Sequence, residues 1–292
     1  MLNVFKLGYV EFKVQDLQAM KTYYESIVGF RLTDEKNGSA YFSSSTDHHN
    51  IILKESTESG ISKFGFQYTA DGSINDVKDH LKSLDIEADL LHDPAPGVKE
   101  ALQFKDPDGY TVELYPEMDL AEERGFQKEG IRPNKVGHLS IRVSDAKKQV
   151  AFYEKLGFYN TDWIEDFFGF MTCNCDHHVL NFFTSETKGM HHLALELRSY
   201  NHLVETLDFM RLNGVHLEWG PSRHGAGHNI ACYHYDPEGN LIELFTDGDV
   251  FIKELGIFDP RPWHRDFPQK PKVWSTDECL SLWGVDFEKA LV

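Results

Sequence analysis

Three residues far apart in the chain, His138, His192 and Glu243, are of the types needed to hold one divalent cation. Two neutral imidazoles and one carboxylate suit a transition metal, and three ligands on one side of an octahedron leave adjacent positions open, the donor set of the ferrous oxygenases. Each residue sits in an apolar, strand-like setting. Leu139 and Ile141 alternate to the layer opposite His138, and Ser140 shares its face. His192 opens the run His192-Leu193-Ala194-Leu195, with His191 turned away. Glu243 lies in Asn240-Leu241-Ile242-Glu243-Leu244, where an unpaired carboxylate is costly to bury. A single strand histidine is usually just a hydrogen-bonded residue, so the weight rests on the three together.

An internal repeat supplies the means of bringing them together. Asp106-Pro107-Asp108-Gly109-Tyr110-Thr111-Val112-Glu113-Leu114 and Asp236-Pro237-Glu238-Gly239-Asn240-Leu241-Ile242-Glu243-Leu244 say nearly the same thing. Lys6-Leu7-Gly8-Tyr9 echoes Lys135-Val136-Gly137-His138, and Tyr24-Glu25 before Gly29-Phe30 echoes Tyr153-Glu154 before Gly157-Phe158. The chain therefore contains one module twice. Where the second copy carries His138, His192 and Glu243, the first carries Tyr9, Lys63 and Glu113. A lysine repels a cation, so the metal is expected in the second copy alone.

Each half reads as strand, helix and several strands, then the same again. In the second half the pattern predicts a strand over 136–143, a helix over 145–156, and strands over 159–164, 167–174 and 178–184. A strand over 191–198, a helix over 200–213 and strands over 215–219, 228–235 and 240–245 follow. The predicted class is α+β: two tandem modules, each of paired βαβββ units forming an incomplete barrel. The expected boundaries are a metal-free N-terminal module at 1–118, a linker at 119–134 containing Asp119, Glu122, Glu123 and Arg124, a metal-binding module at 135–250, and a tail at 251–292. With Pro260, Pro262, Pro268 and Pro271, the tail is expected to be an extended flap over one module rather than a helix.

The 292 residues, 41% of them hydrophobic and 13% aromatic, are ample for two packed cores. A formal charge of −18 argues against nucleic acid or an anionic membrane as partner. No apolar run reaches the roughly 18 residues of a spanning helix, and the N-terminus carries no basic-then-apolar signal, so the expected location is cytoplasmic. Cys173 and Cys175 have C-x-C spacing, but strand alternation puts both on one face and no second pair follows. Reduced cysteines in or near a core are expected for these two and for Cys232 and Cys279.

Further polar groups cluster around the proposed ligands. His178 precedes His192 in Asp176-His177-His178, and His224 stands in the loop Arg223-His224-Gly225. Tyr233 precedes Glu243 at a spacing that an antiparallel hairpin brings to one cavity. Taken with Gly137-His138, Met190-His191-His192-Leu193-Ala194-Leu195 and the Tyr233-to-Glu243 segment, these motifs resemble the extradiol ring-cleaving dioxygenases. The likeness is to the catechol 2,3-dioxygenase and homoprotocatechuate 2,3-dioxygenase types of the vicinal oxygen chelate superfamily, over about 5–250. It implies His138, His192 and Glu243 as ligands to Fe(II), with Mn(II) suited to the same donors. It also implies His178 as the acid–base residue, with His224 and Tyr233 holding substrate and oxygen intermediates. The implied reactants are a catechol-type aromatic and dioxygen, and such paired-module enzymes are often homotetramers.

Two positions depart from the homoprotocatechuate pattern. Ser140 replaces an asparagine and Trp219 replaces an arginine. Both are kept as substrate-binding candidates, and Trp219, Phe183, Phe251 and Trp263 as candidates for an aromatic pocket. Catechol, alkylcatechols, dihydroxybiphenyl and carboxylated catechols all remain open. The same scaffold also suits a glyoxalase-like isomerase or thiol transferase using Ni, Zn or Mg. A metal-free ligand-sequestering protein of the bleomycin-resistance type is the non-enzyme alternative.

Overall fold

Alternating apolar residues and turn-forming Gly and Asn pairs lay out the strands, and the computed structural model describes residues 2–122 and 128–286. Glu123 and Arg124 lie outside the described residues. The chain divides into two units. One reaches to Val136 and includes Lys155–Gly157; the other holds Gly137–Glu154 and the chain from Phe158 onward.

In the first unit, β1 (Asn3–Val14), α1 (Leu17–Thr22), β2 (Arg31–Lys36), β3 (Ser39–Ser43) and β4 (Ile51–Glu55) form one βαβββ unit. A π-helical stretch, Tyr23–Val28, continues α1. The second unit of the pair is β5 (Gly60–Thr69), α2 (Ile74–Ser83), β6 (Asp89–Ala95), β7 (Val98–Lys105) and β8 (Thr111–Tyr115). A capping box of Ser73 and Asp76 starts α2 by satisfying backbone N–H groups that the helix leaves unpaired. The strands make one mixed sheet in the order β2-β3-β4-β1-β5-β8-β7-β6. The segment expected as linker is tied to this unit at both ends. Asp119 N donates to Gly97 O at 2.7 Å, and Ile131 N donates to Ile27 O at 2.9 Å.

Where the repeat places its counterparts to the proposed ligands, Tyr9 and Lys63 both bond to Glu113. Tyr9 donates to Glu113 Oε2, and Lys63 Nζ lies 3.0 Å from Glu113 Oε1. Gln103 Nε2 donates to the same oxygen at 2.7 Å. Burial pulls the Lys63 pKa down, but Glu113 and Glu11 more than offset it and leave it raised. The ammonium thus takes the place beside the carboxylate that a cation would need. Lys63→Met is expected to destabilise the protein by about 3 kcal/mol, the cost of stranding one member of a buried ion pair. Urea unfolding read by near-ultraviolet circular dichroism checks this.

The second unit repeats the plan: β9 (Lys135–Val143), α3 (Ala146–Lys155), β10 (Tyr159–Ile164), β11 (Phe168–Thr172) and β12 (Leu180–Thr184). Then come β13 (Gly189–Glu196), α4 (Tyr200–Leu212), β14 (Trp219–Arg223), β15 (Ile230–Tyr235) and β16 (Leu241–Thr246). The Ser199 side chain caps α4 by accepting from His202 N, and the helix ends at Asn213. The tail adds β17 (Phe251–Ile252), β18 (Ile257–Phe258), β19 (Val273–Trp274) and α5 (Thr276–Cys279). The large sheet runs β14-β15-β16-β13-β9-β12-β11-β10-β19. The fold is α+β, with two tandem modules of mixed sheet. No helix among the described residues is long and apolar enough to cross a membrane.

Glycine opens both copies for a packing reason. A Cβ at Gly8 would collide with the Tyr115 ring, and one at Gly137 with the Phe245 ring. The aromatic residue of the last strand thus lies directly over the first strand. In the second copy, Phe245 also packs 5.2 Å from the His138 ring.

Three expectations change. The strand placed at 215–219 lies at Trp219–Arg223, because its register is set by pairing with β15 (Trp219 with Tyr233, Arg223 with Ile230). Cys173 and Cys175 do not share a strand face: β11 stops at Thr172, leaving Cys173 buried and Cys175 exposed. The tail is not wholly extended, since α5 forms one turn after Trp274, in a stretch free of proline.

Candidate metal centre and active site

Three adjacent strands each contribute one donor. His138 comes from β9, His192 from β13 and Glu243 from β16, in the stretch of sheet ordered β16-β13-β9. The parallel pairing of β13 with β16 sets Ala194 opposite Glu243, and the antiparallel pairing of β15 with β16 sets Tyr233 opposite the same residue. His138 Nε2 lies 3.1 Å from His192 Nε2 and 3.0 Å from Glu243 Oε2. His192 Nε2 is 3.2 Å from Glu243 Oε2. All three residues are buried. Ligands held cis on an octahedron by bonds of about 2.1 Å lie about 3.0 Å apart, against about 3.4 Å for a tetrahedron. The donors therefore fit one divalent ion with a face of its octahedron left open. The second carboxylate oxygen, Glu243 Oε1, accepts from Asn229 Nδ2 at 2.8 Å, which fixes the carboxylate's orientation.

Beside this centre, a chain of hydrogen bonds sets the tautomer of His178. His177 Nε2 lies 3.0 Å from Asp162 Oδ2, and a carboxylate can only accept, so Nε2 carries the proton. A neutral His177 then offers a bare Nδ1, 2.8 Å from His178 Nδ1. His178 must donate there, leaving its Nε2 with a free lone pair 3.4 Å from His138 Nε2. Asp162 is itself held by Lys272 N and Trp274 Nε1, both at 2.8 Å. By the same logic His224 donates from Nδ1 to Leu280 O at 2.7 Å, and its Nε2 accepts from the Tyr233 hydroxyl at 3.1 Å.

One cavity is lined by His138, His178, His192, His224, Tyr233 and Glu243, so six of the eight sequence candidates meet in it. Trp219 and Ser140 are not among its walls. Trp219 stacks flat on His224 at 5.4 Å, meets the Tyr233 ring edge-on at 5.6 Å and donates to Asp286 O, so it stands behind two residues of the cavity wall. Ser140 is a full pleat, about 6.6 Å, further along β9 than His138 and stands beside Asn181. Asn181, His191 and Asn229 line the cavity instead. His191 was expected to turn away, but its Nδ1 lies 2.6 Å from His192 Nδ1 and its buried Nε2 has no hydrogen-bond partner. Alternation fixes where a Cβ points, not where an imidazole two bonds further out ends. Nor do Phe183, Phe251 and Trp263 form the aromatic wall; Phe167, Phe168 and Phe170 do. The residue pattern held one hint of this, the dense Phe167-Phe168-Gly169-Phe170 run.

The sequence model of the Glyoxalase/Bleomycin resistance protein/Dioxygenase superfamily matches residues 6–114 and again 135–244. The chain belongs to this superfamily. Within it, the chain is similar to a metapyrocatechase of Pseudomonas sp. strain CF600, 24% identical over 85% of this chain and 87% of that one. The fold resembles that of the 2,3-dioxygenase LapB from Pseudomonas sp. KL28, with a TM-score of 0.81, 24% identity, and coverage of 94% and 98% of the two chains. It equally resembles a Mn(II)-bound glyoxalase from Novosphingobium aromaticivorans, with a TM-score of 0.83, 22% identity, and coverage of 97% and 92%.

The electrostatics of the candidate centre suit a cation. Burial lowers the pKa of His138 despite the neighbouring Glu243 carboxylate, and lowers those of His178 and His224 below the ordinary imidazole range. Burial alone would raise Glu243, but His138 and His192 hold it well below the usual carboxylate range. Burial and Glu243 together keep the Tyr233 phenol protonated. Neutral imidazoles and one carboxylate are the forms a metal needs.

Burial also sets an acid limit on stability. His234, fully buried on β15, has its pKa lowered to about 4. A folded pKa below the unfolded value of about 6.5 means the unfolded chain binds more protons between them. The metal-free protein should therefore keep its stability above pH 6.5 and lose on the order of 3 kcal/mol from His234 as pH falls to 4. Urea midpoints measured in EDTA at pH 7, 5.5 and 4 test this, and a flat profile would contradict it.

Proposed function

We propose that the protein is an extradiol dioxygenase, cleaving a catechol ring beside one hydroxyl with insertion of both atoms of dioxygen to give a hydroxymuconic semialdehyde-type product. The observation that carries the proposal is the facial set His138, His192 and Glu243, with an unprotonated His178 Nε2 aimed beside it. Fe(II), or Mn(II) with the same donors, would supply adjacent positions for both catechol oxygens and dioxygen and conduct electrons between them.

This chain's own residues supply the rest. Two neutral histidines and one carboxylate leave a dication with net positive charge, which favours the deprotonated catechol. His178 Nε2 accepts the phenolic proton and returns it when the bond between the two dioxygen atoms breaks. Asp162 and His177 keep that nitrogen bare by fixing the tautomer. The Tyr233 hydroxyl, turned from His224 Nε2 to a reacting oxygen, donates to it and favours the charge developing there. His224, fixed by its Nδ1–H bond to Leu280 O, offers a bare Nε2 that accepts from a substrate hydroxyl. Phe168, Phe170 and Leu280 exclude water from the other end of the cavity.

Protein reconstituted anaerobically with Fe(II) and mixed with catechols should consume one dioxygen per ring and turn yellow when air is admitted. A glyoxalase-type isomerase on this scaffold would take up no oxygen, so an oxygen electrode separates the two. Absence of uptake with every catechol tried would sink the dioxygenase reading.

A further inference from the structure

We infer that the site takes an uncharged catechol carrying an apolar ring substituent, and that Leu280 of the C-terminal segment forms part of the wall against which that substituent lies. The inference rests on the proposed catechol chemistry and names its substrate class. The cavity has two unlike ends. Imidazoles, Asn181, Asn229 and Glu243 surround the candidate metal, whereas Ile164, Phe167, Phe168, Phe170, Ala226 and Leu280 form the remaining wall. That wall is already packed before any ligand arrives: Ile164, Phe168, Phe170, Ala226, Trp274 and Cys279 make one buried cluster with Phe167 and Leu280 against it. The tail is fastened there by its backbone. Gly225 N donates to Cys279 O at 2.5 Å, and Leu282 N donates to Arg223 O at 2.7 Å.

A substrate carboxylate would find no counter-charge. Among the described residues, no lysine or arginine lines this cavity. Neighbouring cations are committed elsewhere. Arg142 donates to Met190 O at 3.0 Å, and Arg223 donates to His228 O and Asp247 and lies over the Trp263 ring. Lys272 pairs with Asp266 and lies over the Trp274 ring. Arg198 and Arg261 line a second, polar cleft that shares only His138, His178 and Asn229 with the cavity, and there they face the four carboxylates of Asp176, Glu196, Asp247 and Asp249. A carboxylate pressed against the phenylalanines would be buried unpaired, while a methyl or ethyl group would leave water for a preformed apolar surface.

The test is anaerobic calorimetric titration of the full-length protein loaded with Fe(II), followed by admission of air to read oxygen uptake separately. The ligands are catechol, 4-methylcatechol, 4-ethylcatechol and 3,4-dihydroxyphenylacetate, the last two differing chiefly in charge. Binding is expected to tighten by about 4-fold per added carbon in the neutral series. The carboxylate should bind on the order of 100-fold more weakly than 4-ethylcatechol. Leu280→Arg should narrow that gap to within roughly 10-fold, by supplying the missing charge and removing apolar wall. Carboxylate and ethyl ligands binding alike in the unmodified protein would overturn the inference, as would an unchanged gap in folded Leu280→Arg protein. Neutral catechols that bind in the expected order without oxygen uptake would support the pocket assignment while refuting the dioxygenase. Failure of every catechol to bind would refute both.

Discussion

Glu243→Ala, and equally His192→Ala, is expected to leave a folded protein that retains no divalent metal through gel filtration and shows no oxygen uptake. The proposed set has three protein donors, so losing either residue removes a third of the bonds, and losing Glu243 also removes all of the fixed negative charge. Loss of a residue that merely orients a ligand costs 10–100-fold in metal affinity, so loss of a ligand itself should cost on the order of 10³-fold or more. Glu243→Ala has a second consequence, because Asn229 Nδ2 loses the acceptor it holds at 2.8 Å and becomes a buried unpaired donor. The apo-protein should therefore be destabilised by about 1–3 kcal/mol as well. Elemental analysis after desalting, alongside urea unfolding of the apo-protein, separates the two effects. Full metal content in either variant would remove that residue from the ligand set.

His178→Phe is expected to behave in the opposite way, keeping its metal and its affinity for catechol while turnover falls by on the order of 10²–10⁴. His178 Nε2 is 3.4 Å from His138 Nε2, close enough to act on a group bound beside the metal, yet it lies outside the His138, His192 and Glu243 group. Phenylalanine keeps the ring volume in a buried place that already meets the Phe170 and His138 rings at 5.2 and 4.1 Å. Stopped-flow measurement of single turnovers, with metal content determined on the same sample, checks the division of roles. Iron lost together with activity would make His178 a ligand and overturn that division.

The two variants probe residues that were legible to different degrees. His138, His192 and Glu243 stand out because each interrupts an apolar alternation at a place where the parallel module has Tyr9, Lys63 or Glu113. The structure shows Tyr9 and Lys63 both bonding to Glu113, so the first copy gathers the three parallel positions around one carboxylate. Asp162 and His177 carried no comparable signal. An aspartate in a strand and the first of two adjacent histidines are ordinary residues until β10 and the 173–179 segment place Asp162 Oδ2 3.0 Å from His177 Nε2. The role of the tail was equally hidden. Proline content argued for an extended flap, yet β19 extends the sheet beside β10, and the single turn of α5 brings Leu280 to the cavity. His191 was misplaced because a side-chain end reaches further than backbone alternation specifies.

Periodicity and turn chemistry are local, self-similarity is read by laying one stretch of the chain beside another, and together they determined the tandem βαβββ plan and the three residues able to hold a cation. Which polar groups share a proton, which phenylalanines close the far wall, and whether any positive charge waits there were decided only by the tertiary structure. Such contacts join residues as distant as Asp162 and Trp274. No pattern within a single strand can encode the separation of two atoms brought together only by the folded sheet.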